Sequence, residues 1–334
     1  MASRDETILP TRDYDLDATL ACGQAFGWER DTDGWTGVIQ GRWVRLTAVR
    51  GGITPIIKDN RSIGGQPLIR PSATLSPSDG ETDGVRGLPR FHRFSSGNGI
   101  KVQLAEPSND DAWLTDYLQT NVNIREIVAT FPKDDEPLRE AVRTCAGLRL
   151  VRQEPWECLA SFILSSTKQI VQIRQIVRAL SQRHGSSVIV PRGVAARFAF
   201  PTADQLAVLS EADLRACKMG FRAPYLLAAA RRVASSEINL AAVGRMELSA
   251  AREELMKLNG VGEKIADCVL LFAYGFPTAF PVDVWVRRVL TQFYFRGRNV
   301  KPDRLRRFIE KHFGPNAGYA QQYLFHHVRL TSGK

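Results

Sequence analysis

Leu258 to Arg288 reads LNGVGEKIADCVLLFAYGFPTAFPVDVWVRR. Ser249 stands where it can cap a helix carrying Leu255 and Leu258, Gly260 and Gly262 permit a tight turn, and Glu263 to Tyr274 starts a second apolar helix. Small-residue peptide units opening onto a helix N-terminus leave backbone N–H groups pointing outward, which suits one phosphate of a nucleic-acid backbone. Lys264 falls in the first turn of the second helix, and Cys268, four residues on, projects from the same face. Past Gly275, Phe276 to Val282 is a Pro-punctuated loop, and Asp283 takes the N-cap position ahead of Val284, Val286, Val289 and Leu290. The loop returns a carboxylate toward a lysine. An amine near a carboxylate, at a site that also grips phosphate, is the minimum kit for attack on a sugar carbon with loss of a base.

The chain of 334 residues, 44% hydrophobic and 24% charged, is long enough for two modest domains with their own cores. Cys22, Cys145, Cys158, Cys217 and Cys268 are far apart, with no CxxC pair, which favours a reducing interior. The five histidines form no HExxH motif or ligand cluster, so neither a metal nor another cofactor is expected. The N-terminus is too acidic and polar for a signal peptide, and no stretch reaches the ~18 apolar residues of a membrane span. An intracellular monomer with no membrane association is the expectation. A formal net charge of +10 and a pI near 9.6 point to a polyanionic partner, and basic residues far outnumber acidic ones from Glu263 onward. A solvated basic helix face would account for the same charge.

Residues 12 to about 57 alternate turn signals with short β-rich runs (Gly27 to Arg30, Gly34 to Ile39, Gly41 to Thr47), the pattern of an antiparallel sheet built from hairpins. A loose Gly, Pro, Ser and Asp-rich insertion follows at about 60–99, then a strand from Ile100 to Leu104 and a helix from Asp110 to Ala129. From Pro137 onward nearly everything is helical: Leu138 to Ala146, Trp156 to Ser165, Ile170 to His184, Thr202 to Val208, Asp213 to Cys217, Ala223 to Ala234, and a basic amphipathic helix from Asp303 to His312. The fold class is α+β: an N-terminal antiparallel sheet domain with flanking helices, at 1–118, then an all-α domain at 119–334.

Leu258 to Asp283 resembles the helix-hairpin-helix, Gly/Pro loop and aspartate signature of base-excision DNA glycosylases. Cys268 with Pro281-Val282-Asp283-Val284 is most similar to the 8-oxoguanine DNA glycosylase/AP lyase family. The resemblance covers about Asp15 to Leu330 outside the insertion. It implies an all-α helix-hairpin-helix glycosylase domain, a partner of double-stranded DNA containing a damaged base, Lys264 as the nucleophile at C1′, and Asp283 as the group that orients it. Cys22-Gly23-Gln24-Ala25-Phe26-Gly27-Trp28 is similar to the start of the family's N-terminal domain, where the glycine carbonyl accepts from the N7–H of 8-oxoguanine. Guanine has an N7 acceptor instead, and the unmet carbonyl would cost about 1–3 kcal/mol. Ala317 to Phe325 resembles the family's final helix, so Gln321 would read the purine edge and Phe325 would stack on it, with Cys268 on the other face. Gly260 and Gly262 would hold a DNA phosphate.

Arg152 to Ser166 resembles the helix leading to the loop that enters the duplex, with Thr167 where the family has asparagine and Gln172 where it has arginine. Gly220-Phe221-Arg222-Ala223 matches a GYRA run, leaving Arg222 to read the opposite cytosine or contact phosphate. Asn259 replaces a proline, and Trp285 stands in place of a phosphate-binding histidine. Taken singly, Gly23 is a turn glycine, Gln321 and Phe325 an ordinary core pair, and Lys264 the phosphate lysine of a non-catalytic hairpin. A water-using glycosylase acting on alkylated bases and a DNA-binding protein without chemistry are the rivals.

Overall fold

The computed structural model describes residues 6–49, 99–106, 108, 110–165 and 169–332. Thr167 and most of the 60–99 insertion lie outside them. Among the described residues five strands form one antiparallel sheet: β1 (Glu6–Pro10), β2 (Glu29–Arg30), β3 (Trp35–Ile39), β4 (Arg42–Val49) and β5 (Gly99–Leu104), in the order β1-β5-β4-β3-β2. The β3–β4 register pairs Ile39 with Arg42 across a two-residue turn, in which Gln40 and Gly41 both have positive φ (50° and 74°). That turn has the hand that matches strand twist. One face of the sheet buries Leu9, Trp35, Val44, Leu46, Ile100 and Val102 against helix α1 (Leu16–Ala21) and helix α2 (Ala112–Leu118). Neither β1 nor α1 was expected from the sequence; α1 is capped by Asp15, whose carboxylate accepts from Ala18 N at 2.9 Å.

The helix expected from Asp110 to Ala129 is two. Gln119 ends α2 in the left-handed region (φ 55°, ψ 41°), and Asn123 caps α3 (Ile124–Ala129) by accepting from Arg125 N at 3.2 Å. The break has a packing cause: Leu114 and Leu118 enter the sheet's core, whereas Ile124 enters the core of the helical part. One straight helix could not serve both.

The helical part continues through α4 (Glu136–Thr144), α5 (Pro155–Leu164) and α6 (Ile170–His184), then a short hairpin of β6 (Ser187–Val188) and β7 (Arg197–Phe198). It goes on with α7 (Ala203–Ala207), α8 (Glu211–Arg215), α9 (Ala223–Ala234), α10 (Leu240–Val243), α11 (Leu248–Met256), α12 (Glu263–Val269), α13 (Val284–Val289), α14 (Pro302–Phe313) and α15 (Ala317–Thr331). Helix α5 lies at its centre, buried from Cys158 through Leu164. Both α12 and α13 end in a π-helical turn, at Leu270–Tyr274 and Leu290–Tyr294.

Two buried polar side chains join sheet and helices. Gln24 donates from Nε2 to Arg149 O (2.8 Å), accepts from Val151 N at Oε1 (2.9 Å), and its carbonyl accepts from Gln153 Nε2 (2.8 Å). Arg149 donates to the carbonyls of Arg12 and Asp13, each at 2.9 Å. These bonds lash both the turn at 22–24 and the segment at 12–13 to the chain that leads into α5. The Gln24 amide is paired at both its nitrogen and its oxygen, and both terminal nitrogens of Arg149 are paired although its Nε is not; displacing either side chain would leave further desolvated groups unpaired.

Candidate active site

Helices α11 and α12 form the hairpin. Ser249 does not cap α11: Glu247 takes the extended N-cap backbone and Ser249 lies inside the first turn, because Leu248, packed on the core, draws the helix start back. Leu258 sits in the turn beyond α11, buried. Gly260 has φ +83°, and a Cβ there would stand 2.8 Å from Tyr225 Cγ. Gly262 is the N-cap of α12 and faces open space. Arg252 Nε on α11 donates to Asp267 on α12 at 2.7 Å, pinning the two helices.

Lys264 is half-buried where α12 crosses α5. Its Nζ donates to Ser165 Oγ at 3.0 Å and stands 5.2 Å from the centroid of the Phe162 ring. Ser165 in turn donates to Phe162 O at 2.7 Å, and Phe162 stacks on Phe272 at 5.6 Å. The amine thus has one hydroxyl acceptor and an aromatic floor, which together hold its direction. Asp283 caps α13, its carboxylate accepting from Val286 N at 2.7 Å. It makes no direct ion pair with Lys264 but lies within its field. Burial pushes the Asp283 carboxyl above its ordinary range; the Val286 N–H, Lys264 and Arg329 oppose that. Burial pushes the Cys268 thiol up to about 12, partly opposed by Lys264, so Cys268 is a neutral thiol at neutral pH.

Helix α15 closes on this group through Gly318. Gly318 N donates to Pro277 O at 2.8 Å, and a Cβ on Gly318 would meet Leu271 Cδ1 at 2.3 Å and Ala279 O at 2.8 Å. Gln321 and Phe325 follow three and seven residues later on the same face. Gln321 is 4% exposed and its Oε1 is buried without a partner. Such an atom is costly unless a ligand supplies a donor. Gly318→Ala should destabilise the fold by about 1–2 kcal/mol, since overpacking against a backbone oxygen outweighs the gain in helix propensity. Denaturant unfolding checks this; a more stable variant would mean that α15 is not seated on the loop.

Gly23 has φ +86°, beside Ile170 and Arg329. The neighbouring Cys22 carbonyl accepts from Gln322 Nε2 at 3.4 Å and from Arg329 Nη1 at 3.3 Å, so the turn lies against α15. Arg222 stands 4.5 Å from the exposed Phe221 ring and 5.7 Å from the ring of Tyr225, the same tyrosine that abuts Gly260. Its Nε is buried and unpartnered. Trp285 carries the Arg288 guanidinium 5.1 Å from its ring. Gln172 caps α6 instead of standing free: its Oε1 accepts from Gln169 N at 3.1 Å.

Lys264, Cys268 and Asp283 are thereby brought together, with Gly23 and Phe325 both against Arg329, whose charge also reaches Asp283. Gly260 and Arg222 share Tyr225 as a separate wall. Sequence reasoning missed Ser165, Phe162, Arg288 and Arg329. Arg288 and Arg329 were signalled only by spacing, three residues after Trp285 and four after Phe325.

The family model for the N-terminal domain of 8-oxoguanine DNA glycosylase matches residues 7–159, and that for the HhH-GPD superfamily of base excision DNA repair proteins matches 160–315. A probable N-glycosylase/DNA lyase of Methanothermobacter thermautotrophicus is 31% identical over 225 residues, 59% of this chain and 69% of that protein. Among solved structures, MBOgg1 in complex with a low-affinity DNA ligand superposes with a TM-score of 0.79 at 27% identity, covering 100% of this chain and 98% of the other. The Clostridium acetobutylicum 8-oxoguanine glycosylase/lyase, in complex with dsDNA containing cytosine opposite 8-oxoG, gives 0.76 at 26% identity and 98% coverage of each chain. With the hairpin, the lysine and the aspartate in place, the chain belongs to the 8-oxoguanine DNA glycosylase family of helix-hairpin-helix base-excision repair proteins.

Proposed function

We propose that this chain is a bifunctional DNA glycosylase/AP lyase that excises oxidised purines, foremost 8-oxoguanine, from duplex DNA. The observation that carries the reading is the half-buried Lys264 amine, aimed by Ser165 and lying in the field of Asp283. The backbone N–H groups of the Gly260–Gly262 turn grip a phosphate, and the damaged nucleotide is flipped out of the stack. The lesion lies between Cys268 and Phe325; the Gly23 carbonyl accepts from its N7–H, and Gln321 pairs with its edge. A neutral thiol suits that place, since a thiolate would itself compete as a nucleophile.

The Lys264 lone pair forms a bond to C1′ as the C1′–N9 pair leaves with the purine, and Asp283 stabilises positive charge developing on the sugar. The secondary amine opens the sugar to a Schiff base, and β-elimination expels the 3′ phosphate. Arg222 and Trp285 with Arg288 face the DNA outside the lesion site, where guanidiniums contact cytosine or phosphate.

Borohydride trapping of the protein on duplexes carrying 8-oxoguanine opposite each of the four bases tests this. A covalent adduct that requires the lesion is the expected result, and its variation with the opposite base reports what Thr167 and Gln172 have changed. Base release without any adduct would replace lysine by water as the nucleophile and overturn the lyase assignment.

A further inference from the structure

Arg329 lies one helical turn past Phe325 on α15. Its Nη1 donates to the Cys22 carbonyl at 3.3 Å, and a Cβ built on Gly23 would stand 3.4 Å from that nitrogen. Its Cζ is 5.5 Å from the centroid of the Phe325 ring. Among the described residues this is the single hydrogen bond of a group with five N–H donors, and none of its nitrogens is both buried and unpartnered. The spare donors are therefore accessible beside Phe325 and the Gly23 turn, which would meet one face and the edge of a flipped base.

A second guanidinium strengthens the same charge. Arg174 on α6 donates from Nη2 to Leu20 O at 3.2 Å, and its Nε is buried with no partner. Among the described residues neither arginine has a carboxylate within ion-pairing distance; Asp283 is felt by Arg329 only through space. Burial lowers the proton affinity of both, and Arg329 lowers that of Arg174 further. Two half-buried cations without a counter-ion are costly in the free protein, and the cost is relieved when an anion arrives.

We propose that Arg329 is a further catalytic residue, stabilising the purine anion as it departs from C1′. The inference rests on the glycosylase reading above. As Nζ of Lys264 bonds to C1′, the electron pair of the C1′–N9 bond passes to the purine, spreading negative charge over its ring nitrogens and exocyclic oxygens. The ammonium formed at Nζ then gives up one proton and the purine gains one, so charge and atoms balance. Arg329 is already charged and held by Cys22 O, so it meets this anion with little reorganisation. Arg174 adds to the potential from behind. The neighbours of Arg329, an aromatic ring and the Gly23 turn, are those of a flat base and not of a phosphodiester.

Single-turnover base release from an 8-oxoguanine duplex, compared with borohydride trapping on a duplex carrying a preformed abasic site, separates the two steps. In Arg329→Met, base release should fall about 10²-fold, the scale of losing a preorganised donor, while trapping on the abasic duplex stays within about twofold of native. Arg329→Lys, which keeps the charge, should recover most of the loss, and the Met deficit should grow with purines that are poorer leaving groups. Equal losses in both steps would mark a phosphate grip or a folding defect and overturn the inference, as would base release indifferent to Arg329→Met. A native protein that traps abasic DNA yet releases no damaged base would instead overturn the glycosylase reading beneath it.

Discussion

Lys264→Gln is expected to lose the borohydride-trappable adduct entirely and to release base at a rate lower by about 10³-fold or more, in line with removal of a nucleophile elsewhere. Glutamine matches much of the lysine's length and can still donate to Ser165 Oγ, so the site keeps its shape. On the proposed mechanism, what vanishes is the lone pair that attacks C1′ and the amine that carries the Schiff base. Stability should change little, because the contact given up with the Phe162 ring is worth only about 0.5–1 kcal/mol. Affinity for lesion DNA should remain within about tenfold at fixed salt, since one cation among many is lost. Trapping, single-turnover kinetics and binding anisotropy on one preparation check all three. An adduct that persists in the variant would assign the chemistry to another amine.

Asp283→Asn should slow base release by about 10²–10³-fold, the range seen when an electrostatic stabiliser is removed from a developing charge. Asparagine can still accept from Val286 N and cap α13, so the helix start survives. The same variant should be more thermally stable at neutral pH. Burial raises the Asp283 carboxyl above the ordinary carboxylate range, so the folded state binds the proton more tightly than the unfolded chain does. Such a group contributes most to stability below the unfolded pKa and loses that contribution as pH rises through its folded value. A neutral amide removes the cost, and the gain in Tm should vanish on acidification through the carboxylate range. By the same sign, base release by the native protein should fall off on acidification at a higher pH than an ordinary aspartate would give. Unchanged activity in the variant would remove Asp283 from the chemistry, and a Tm gain independent of pH would overturn the raised affinity of its carboxylate for the proton.

How much of this was legible in the sequence follows from how local each feature is. The hairpin, the Pro-punctuated loop and the Asp283 cap are set by residues a few positions apart, and the helices at Ile170–His184 and Ala223–Ala234 have the expected bounds. The hairpin was legible even though its first cap was misplaced, because the glycines and the apolar spacing carry the turn without Ser249. The break at Gln119 was not, since it comes from two cores pulling on neighbouring helices. Asn123, ahead of Ile124, was the overlooked local sign. Ser165 became a partner of Lys264 only when α5 and α12 crossed, and Arg329 met Gly23 across some three hundred residues of chain. Gln172 shows the converse: aligned with a base-reading arginine, its amide is taken up by the start of its own helix.

Helix α1 and the turn after it face two ways. Leu16 and Leu20 enter the core of the sheet, while Ala18, Cys22 and Phe26 enter the core of the helices, and Val151 from the helical side enters the sheet's core in return. With Gln24 and Arg149 bonded across the same seam, the turn at Gly23, which we propose reads the lesion, is held as much by the helices as by the sheet. A sheet traded in from a relative as a cassette would therefore have to bring residues 147–153 with it. Transplanted alone, it would lose the hold that sets Gly23, the proposed reader of the base.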